Sequence, residues 1–140
     1  MSPIEVRPAA PGDWPSVARI QTNSKEAAQW PVGDYHGQSV LLALLDGAPA
    51  GFCAFRQTAP DEAELLNLAV DPALRRKGVA LALLHELARQ TQGDMFLEVA
   101  EDNLPARRLY LKHGFIEAGV RRGYYQNGLV NGIVMKKPSC

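Results

Sequence analysis

Residues 65–84 constrain the fold of this chain more than any other stretch. Leu65-Leu66-Asn67-Leu68-Ala69-Val70 is a short, nearly continuous apolar run. A strand buried on both faces looks like this, although periodicity alone also admits a short helix. Asp71-Pro72 stops the run, because proline lacks the ladder donor and restricts the residue before it. Arg75-Arg76-Lys77-Gly78 follows, and then an amphipathic pattern begins. Its apolar positions Ala80, Leu83, Leu84, Leu87 and Ala88 recur at helical spacing. The stretch reads as strand, turn and helix.

A strand that feeds a helix through such a turn leaves the first helical N–H groups without internal partners. Those donors and the positive end of the helix dipole attract an anion. Gly78 and Ala80 let a phosphate approach the backbone closely, and Arg75, Arg76 and Lys77 add charge at the same point. The chemistry suggested is a di- or polyphosphate held at a helix N-terminus. The turn taken alone is equally compatible with a solvated basic turn between two core elements. The chain has no G-x-x-x-x-G-K-[ST] and no G-x-G-x-x-G, which sets aside a P-loop and a dinucleotide fingerprint.

A length of 140 residues fits a single domain over 1–140 with a sizeable core. Apolar residues make up 46% and charged residues 21%, a globular balance that argues against disorder. The formal net charge of zero argues against a nucleic-acid binder with a large basic face. No apolar run approaches the ~20 residues of a membrane helix. Met1-Ser2-Pro3-Ile4-Glu5-Val6 lacks the plan of a signal peptide. Cys53 and Cys140 form neither a metal spacing nor a disulfide framework, Cys53 reading as a small core residue and Cys140 as a disordered end. A reducing cytoplasm is the compartment expected.

Along the chain, Ile4-Glu5-Val6-Arg7 alternates as a first strand that Pro8, Pro11 and Gly12 break. Asp13 is the expected N-cap of a helix with Trp14, Val17, Ala18 and Gln21, ending near residues 27–29. Trp30-Pro31 and Gly33 mark a loop, with a helical turn around 34–37. Strands are expected at 38–45 and 50–57 around an Asp46-Gly47 hairpin turn, and at 64–70 after Pro60-Asp61. The helix from about residue 76 to 92 ends at Gly93. A strand at 95–99 should lie parallel to that at 64–70, since a helix crosses between them. Asn103 caps the next helix, with Pro105 in its first turn and Gly114 after it. Strands at about 115–124 and 129–136, joined near Asn127-Gly128, complete the chain. The fold class is mixed α/β (α+β): a mostly antiparallel sheet with a central parallel βαβ pair flanked by helices.

Three further residues could do chemistry. Glu98 sits within Met95-Phe96-Leu97-Glu98-Val99-Ala100, where a carboxylate is costly unless solvated, paired or functional. Desolvation disfavours the charged form of a carboxylate, which suits a general base; a strand-end glutamate facing solvent is the plainer alternative. Asn103 and Tyr110 are two helical turns apart and so share a face. Asn103 offers an amide to a peptide-like cofactor arm, and Tyr110 a phenol that can protonate a leaving group. A cap residue and a boundary tyrosine would explain each separately. Tyr124 and Tyr125 could line an acceptor channel or simply pack at a strand end. Arg107, Arg108 and Lys112 read as a solvated helix face that could also meet a cofactor phosphate. His36, His85 and His113 have no ligand spacing, so no metal site is expected.

These segments together resemble the GNAT superfamily of N-acetyltransferases. Arg75-Arg76-Lys77-Gly78-Val79-Ala80 meets the family's R/Q-x-x-G-x-G/A acetyl-coenzyme A loop, with alanine in place of the commoner second glycine. Leu97-Glu98-Val99-x3-Asn103-x2-Ala106-x2-Leu109-Tyr110-x3-Gly114-Phe115 is similar to the second half of its signature. Asn67-Leu68-Ala69-Val70-Asp71-Pro72 and Arg121-Arg122-Gly123-Tyr124-Tyr125 resemble RimI-type ribosomal-protein alanine N-acetyltransferases. The likeness covers residues 65–135; before residue 60, Trp30-Pro31 is the best local hint, and much of acceptor recognition is expected there.

The resemblance implies that the backbone of Leu68, Ala69 and Val70 pairs with the acetyl and pantetheine portion of acetyl-CoA. It implies that Arg76, Lys77, Gly78, Val79, Ala80 and Leu81, with Arg75 beside them, cradle the pyrophosphate. Glu98 is then the base, directly or through water, and Tyr110 protonates the thiolate. The expected activity is acetyl transfer from acetyl-CoA to a primary amine, with no metal and no covalent enzyme intermediate. A backbone N–H of residues 68–70 would hold the oxyanion. The favoured acceptor is a protein N-terminal amine such as that of a ribosomal protein, with Trp30, Tyr124 and Tyr125 as acceptor contacts. A small-molecule or lysine amine, or a catalytically silent acyl-CoA-binding module, is the alternative. No direct nucleic-acid partner and no membrane are expected, and the chain would work as a monomer or homodimer.

Overall fold

The structure, a computed structural model, describes residues 3–25, 27–125 and 128–139. The side chains of Val32, Tyr124 and Tyr125 lie outside that description, as do the proposed turn residue Asn127 and Cys140. Among the described residues, seven strands and three α-helices, with short 3₁₀ turns between them, follow one another as β1 (Ile4–Pro8), α1 (Trp14–Asn23), β2 (Ser39–Leu45), β3 (Ala48–Ala59), β4 (Glu62–Val70), α2 (Val79–Gln90), β5 (Asp94–Ala100), α3 (Leu104–Lys112), β6 (Ile116–Tyr125) and β7 (Val130–Lys137). The strands are hydrogen-bonded in the order β1-β2-β3-β4-β5-β7-β6. Strands β4 and β5 run parallel, whereas β1 with β2, β2 with β3, β5 with β7 and β6 with β7 are antiparallel. This is the mixed fold expected. The place of β7 between β5 and β6 is new.

The chain packs as two compact units, Met1–Arg56 with Leu65–Thr91, and Gln57–Glu64 with Gln92–Cys140. In the first unit β2 is buried on both faces. Val40, Leu42 and Leu44 join Val17 and Ile20 of α1, Tyr35, Phe52, Ala54 and Ala69 in one core. Helix α2 lies against β1 and β2. Its buried stripe is Val79, Leu83, Leu84 and Leu87, whereas Ala88, expected on the apolar face, is exposed. The two-residue hairpin at Asp46 and Gly47 has φ of 52° and 83°, the doubly left-handed turn that Asp-Gly favours. Cys53 is fully buried and burial pushes its thiol up to about 12, in keeping with a core residue.

Several boundaries differ from those expected. Pro8 ends β1 instead of breaking it, which an edge strand tolerates. Asp13 does not cap α1 through its side chain. Its carboxylate accepts from the Ala10 N–H at 2.7 Å and from Arg7 at 2.7 and 3.2 Å. Helix α1 stops at Asn23, short of residues 27–29. The Gln29 amide donates to the carbonyls of Gln21 (2.7 Å) and Ser24 (3.1 Å), and the Ser24 hydroxyl donates to the Val70 carbonyl (3.0 Å). Those bonds satisfy groups that a longer helix would have used. Helix α2 begins at Val79, not Arg76, because Arg76 (φ 63°) and Gly78 (φ 88°) are left-handed. It ends at Gln90. Gly93 (φ 81°) lies beyond it, where a Cβ would stand 1.7 Å from the Asp61 carbonyl oxygen.

The second unit holds β5, β6, β7 and α3. Met95, Leu97 and Val99 fill one face of β5, while Phe96, Glu98 and Ala100 lie on the less buried face. Glu62, Ala63 and Glu64 of β4 are in register with Asp94, Met95 and Phe96. Asn103 caps α3 as expected, its Oδ1 accepting from the Ala106 N–H at 3.3 Å.

Candidate functional site

In the first unit the site is the β4–α2 connection. Asp71 ends β4 and its carboxylate accepts from the Ala73 N–H at 3.0 Å, forming a short 3₁₀ turn at Pro72–Leu74. Arg75, Arg76 and Lys77 are exposed. The left-handed Arg76 is one of two described non-glycine residues at positive φ; such backbone costs about 1 kcal/mol and gathers at functional turns. A Cβ on Gly78 would meet only Ile4 Cδ1, at 3.8 Å, so the φ of 88° is what requires glycine there. The first intrahelical bond of α2 runs from the Ala82 N–H to the Gly78 carbonyl at 3.0 Å. The amides of Val79, Ala80 and Leu81 therefore lie at the open N-terminal end, beside three exposed cations.

The chain meets closely behind this turn. A Cβ on Gly51 of β3 would stand 2.9 Å from the Ala69 carbonyl oxygen and 2.9 Å from Val79 Cγ1. The missing side chain at Gly51 sets how near the first turn of α2 comes to β4. Sequence reasoning passed over Gly51, since a glycine inside a strand names no neighbour.

Of the three β4 amides assigned to the acyl group, one is already committed. The Leu68 N–H donates to Asn67 Oδ1 at 3.0 Å. The Asp71 N–H bonds the Ala50 carbonyl on β3 at 2.8 Å, so strand alternation turns the Ala69 amide the same way and those of Leu68 and Val70 the other way. The Val70 N–H is thereby on the same side of β4 as that of Leu68, the side on which the Ser24 hydroxyl donates to the Val70 carbonyl at 3.0 Å. Trp30 is half-buried against the core and stacks on Tyr35, with centroids 5.6 Å apart and planes 5° apart.

In the second unit, Glu98 is held asymmetrically. Oε2 accepts from Arg121 Nη1 at 3.2 Å, and Oε1 is buried with no described partner. Arg121 on β6 reaches across β7. It is in register with Gly132, and Gly132 with Ala100, so small residues border its path. Sequence reasoning placed Arg121 only in a family-like tail; 23 residues of separation and an intervening strand gave no signal of the pairing. Tyr110 is buried and meets Phe115 edge to face at 5.5 Å. With Ala106 it forms the buried stripe of α3, and Asn103 stands at the head of that stripe with its carbonyl capping the helix. Arg107 is not a solvated cation: it bonds Glu117 at 2.6 and 3.0 Å and the Glu101 carbonyl at 2.7 Å. The side chains of Tyr124 and Tyr125 lie outside the described residues. No group of three or more His, Cys, Asp or Glu able to hold a metal occurs among the described residues. No described helix is long and apolar enough to cross a membrane.

The sequence profile of the Acetyltransferase (GNAT) family matches residues 5–115. The ribosomal protein bS18-alanine N-acetyltransferase of Escherichia coli (strain K12) is 40% identical over 99 residues, covering 66% of this chain and 66% of that relative. The chain thus spans just under two thirds of the curated relative's length. The crystal structure of the ribosomal-protein-S18-alanine N-acetyltransferase from Escherichia coli superposes with a TM-score of 0.82 at 30% identity, covering 98% of this chain and 94% of that one. A GNAT family acetyltransferase from Elizabethkingia anophelis with acetyl-CoA bound shares the fold, with a TM-score of 0.76, 17% identity and coverage of 96% and 97%. With a left-handed basic turn opening α2 and a family profile that spans most of its length, this chain belongs to the GNAT acetyltransferase family.

Proposed function

We propose that this protein transfers the acetyl group of acetyl-CoA to a primary amine, and that the acceptor is the N-terminal amine of a protein. The observation that carries the reading is the 75–80 turn, with left-handed Arg76 and Gly78 leading into the open amides of α2. Such a turn takes a pyrophosphate, and acetyl-CoA is the co-substrate of the family. The acceptor class is supported by the likeness to relatives named for alanine N-acetylation of a ribosomal protein. The whole chain works as one acetyltransferase domain, in the cytoplasm.

In this reading residues 75–81 hold the pyrophosphate and a backbone N–H of residues 68–70 donates to the oxyanion. Asn103 offers its side-chain amide to the pantetheine arm. Glu98 takes a proton from the acceptor ammonium on Oε1, which is buried and has no donor among the described residues, while Arg121 fixes Oε2. The freed amine attacks the thioester carbonyl, the C–S bond breaks, Tyr110 gives a proton to the departing thiolate, and the tyrosinate takes up the second proton that the new amide nitrogen loses. The amide and free CoA are the products. Trp30, Tyr124 and Tyr125 are the proposed acceptor contacts.

The test is thiol release from acetyl-CoA with a panel of acceptors: peptides with free N-terminal alanine, N-blocked peptides carrying lysine, and small amines. Turnover confined to free N-termini supports the reading. Turnover on lysine or small amines alone moves the acceptor class, and binding without turnover leaves an acyl-CoA-binding module. The Gly78→Glu variant places bulk and negative charge at the pyrophosphate position. It should abolish the rise in melting temperature that acetyl-CoA gives; a surviving rise would remove the 75–80 turn from the site.

A further inference from the structure

We propose that Asn67 is a positioning residue: it fixes residues 27–30, and Trp30 with them, against β4, and so sets how tightly the acceptor binds. The kinetic part of this inference rests on the acceptor role of Trp30 proposed above, and the structural part does not.

Asn67 stands in the middle of an apolar strand and is only 6% exposed. A primary amide there is costly unless its hydrogen bonds are made, and all of them are. Its Nδ2 donates to the Ala28 carbonyl (2.9 Å), to Tyr35 Oη (2.8 Å) and to Gln21 Oε1 (3.3 Å). Its Oδ1 accepts from the N–H of Ala28 (3.2 Å) and of Leu68 (3.0 Å). The side chain thus bonds both backbone groups of Ala28, as a strand partner would, although Ala28 lies in no helix or strand.

A second buried amide completes the arrangement. Gln21 Nε2 donates to the Trp30 carbonyl at 2.6 Å, and Tyr35 Oη donates to Gln21 Oε1. The Tyr35 ring in turn carries the stacked indole of Trp30. The backbone is therefore held at residues 28 and 30 by two buried amides that bond each other. Asn67 also accepts from the Leu68 amide, so one side chain ties the loop to the strand that carries it. A leucine or valine at 67 would bury apolar surface without any of these bonds. A fully satisfied polar cluster of this kind specifies one geometry.

Asn67→Ala is the direct test, read by hydrogen exchange and by kinetics on the full chain. Exchange at the Ala28 amide should accelerate by about tenfold or more, the scale of a lost buried hydrogen bond, while the Leu42 amide in β2 is unchanged. KM for a peptide with N-terminal alanine should rise by about tenfold, with kcat and the KM for acetyl-CoA within about twofold. Tyr35→Phe removes one hydroxyl from the cluster and keeps the ring. It should move both readouts the same way by less, and it decides the matter if Asn67→Ala does not fold. Unchanged exchange at Ala28 would overturn the proposal. So would a rise in both KM values in proportion, which would make Asn67 a support of the cofactor strand only. If the wild type turns over no amine, the function proposed above fails, while exchange at Ala28 still decides whether Asn67 fixes the loop.

Discussion

Glu98 is anchored through one carboxylate oxygen and leaves the other buried without a described donor. Glu98→Gln keeps the shape and removes the proposed base. Turnover should fall by ~10²-fold or more, and the thermal shift with acetyl-CoA should persist. Wild-type turnover in that variant would make Glu98 structural. Tyr110→Phe preserves the edge-to-face contact with Phe115 and removes only the hydroxyl proposed to protonate the thiolate. The expected loss is in kcat, with KM for acetyl-CoA steady. Tyr35 supplies a pH test of stability. Burial raises the affinity of its phenol for the proton above the ordinary value, with the Asn67 hydrogen bond acting the other way. A group raised in the folded state stabilises below its unfolded pKa, about 10 for tyrosine, and that stability is lost as pH rises through the folded value. The stability of wild type relative to Tyr35→Phe should therefore be constant at neutral pH and decline in the alkaline range. A flat difference through that range would show the phenol to be solvated.

The elements show where close approach replaces side chains. At Gly51 a methyl group would press on the Ala69 carbonyl and Val79, so Gly51→Ala must displace β4 or the first turn of α2. The expected cost is about 1–3 kcal/mol, the range for an overpacked core. A melting temperature lower by several degrees, with a weaker acetyl-CoA shift, would show that the displaced element is the one that opens the phosphate turn. An unchanged shift would place the strain elsewhere. The shortened α1 makes the complementary point. The sequence from Asn23 to Gln29 offers no proline or glycine stop, and the helix ends because Ser24 and Gln29 bond groups distant in the chain or out of helical order.

For the whole molecule, ligand linkage gives the broadest test. Acetyl-CoA at 100 times its Kd should add about 2.7 kcal/mol to stability. For a chain of this size that is a rise of roughly 5–10 °C in melting temperature, increasing with the logarithm of ligand concentration. A concentration-independent shift, or none, would show that the protein does not bind acetyl-CoA in its folded state.

The sequence by itself determined the element types, the parallel crossover and the turn that opens α2. Each of these is written in local chemistry: an apolar run, Asp-Pro, a glycine that accepts positive φ, an Asx cap three residues before its donor. It also marked Glu98 as out of place in an apolar strand. Only the tertiary structure decided which groups meet. The pairing of Asn67 with Ala28, of Glu98 with Arg121, and of Gly51 with Val79 joins positions 39, 23 and 28 residues apart. A local pattern can show that a buried amide or carboxylate must find a partner, because leaving it unpaired costs too much. Which partner it finds depends on strand order and register, and those are settled by how the whole chain packs.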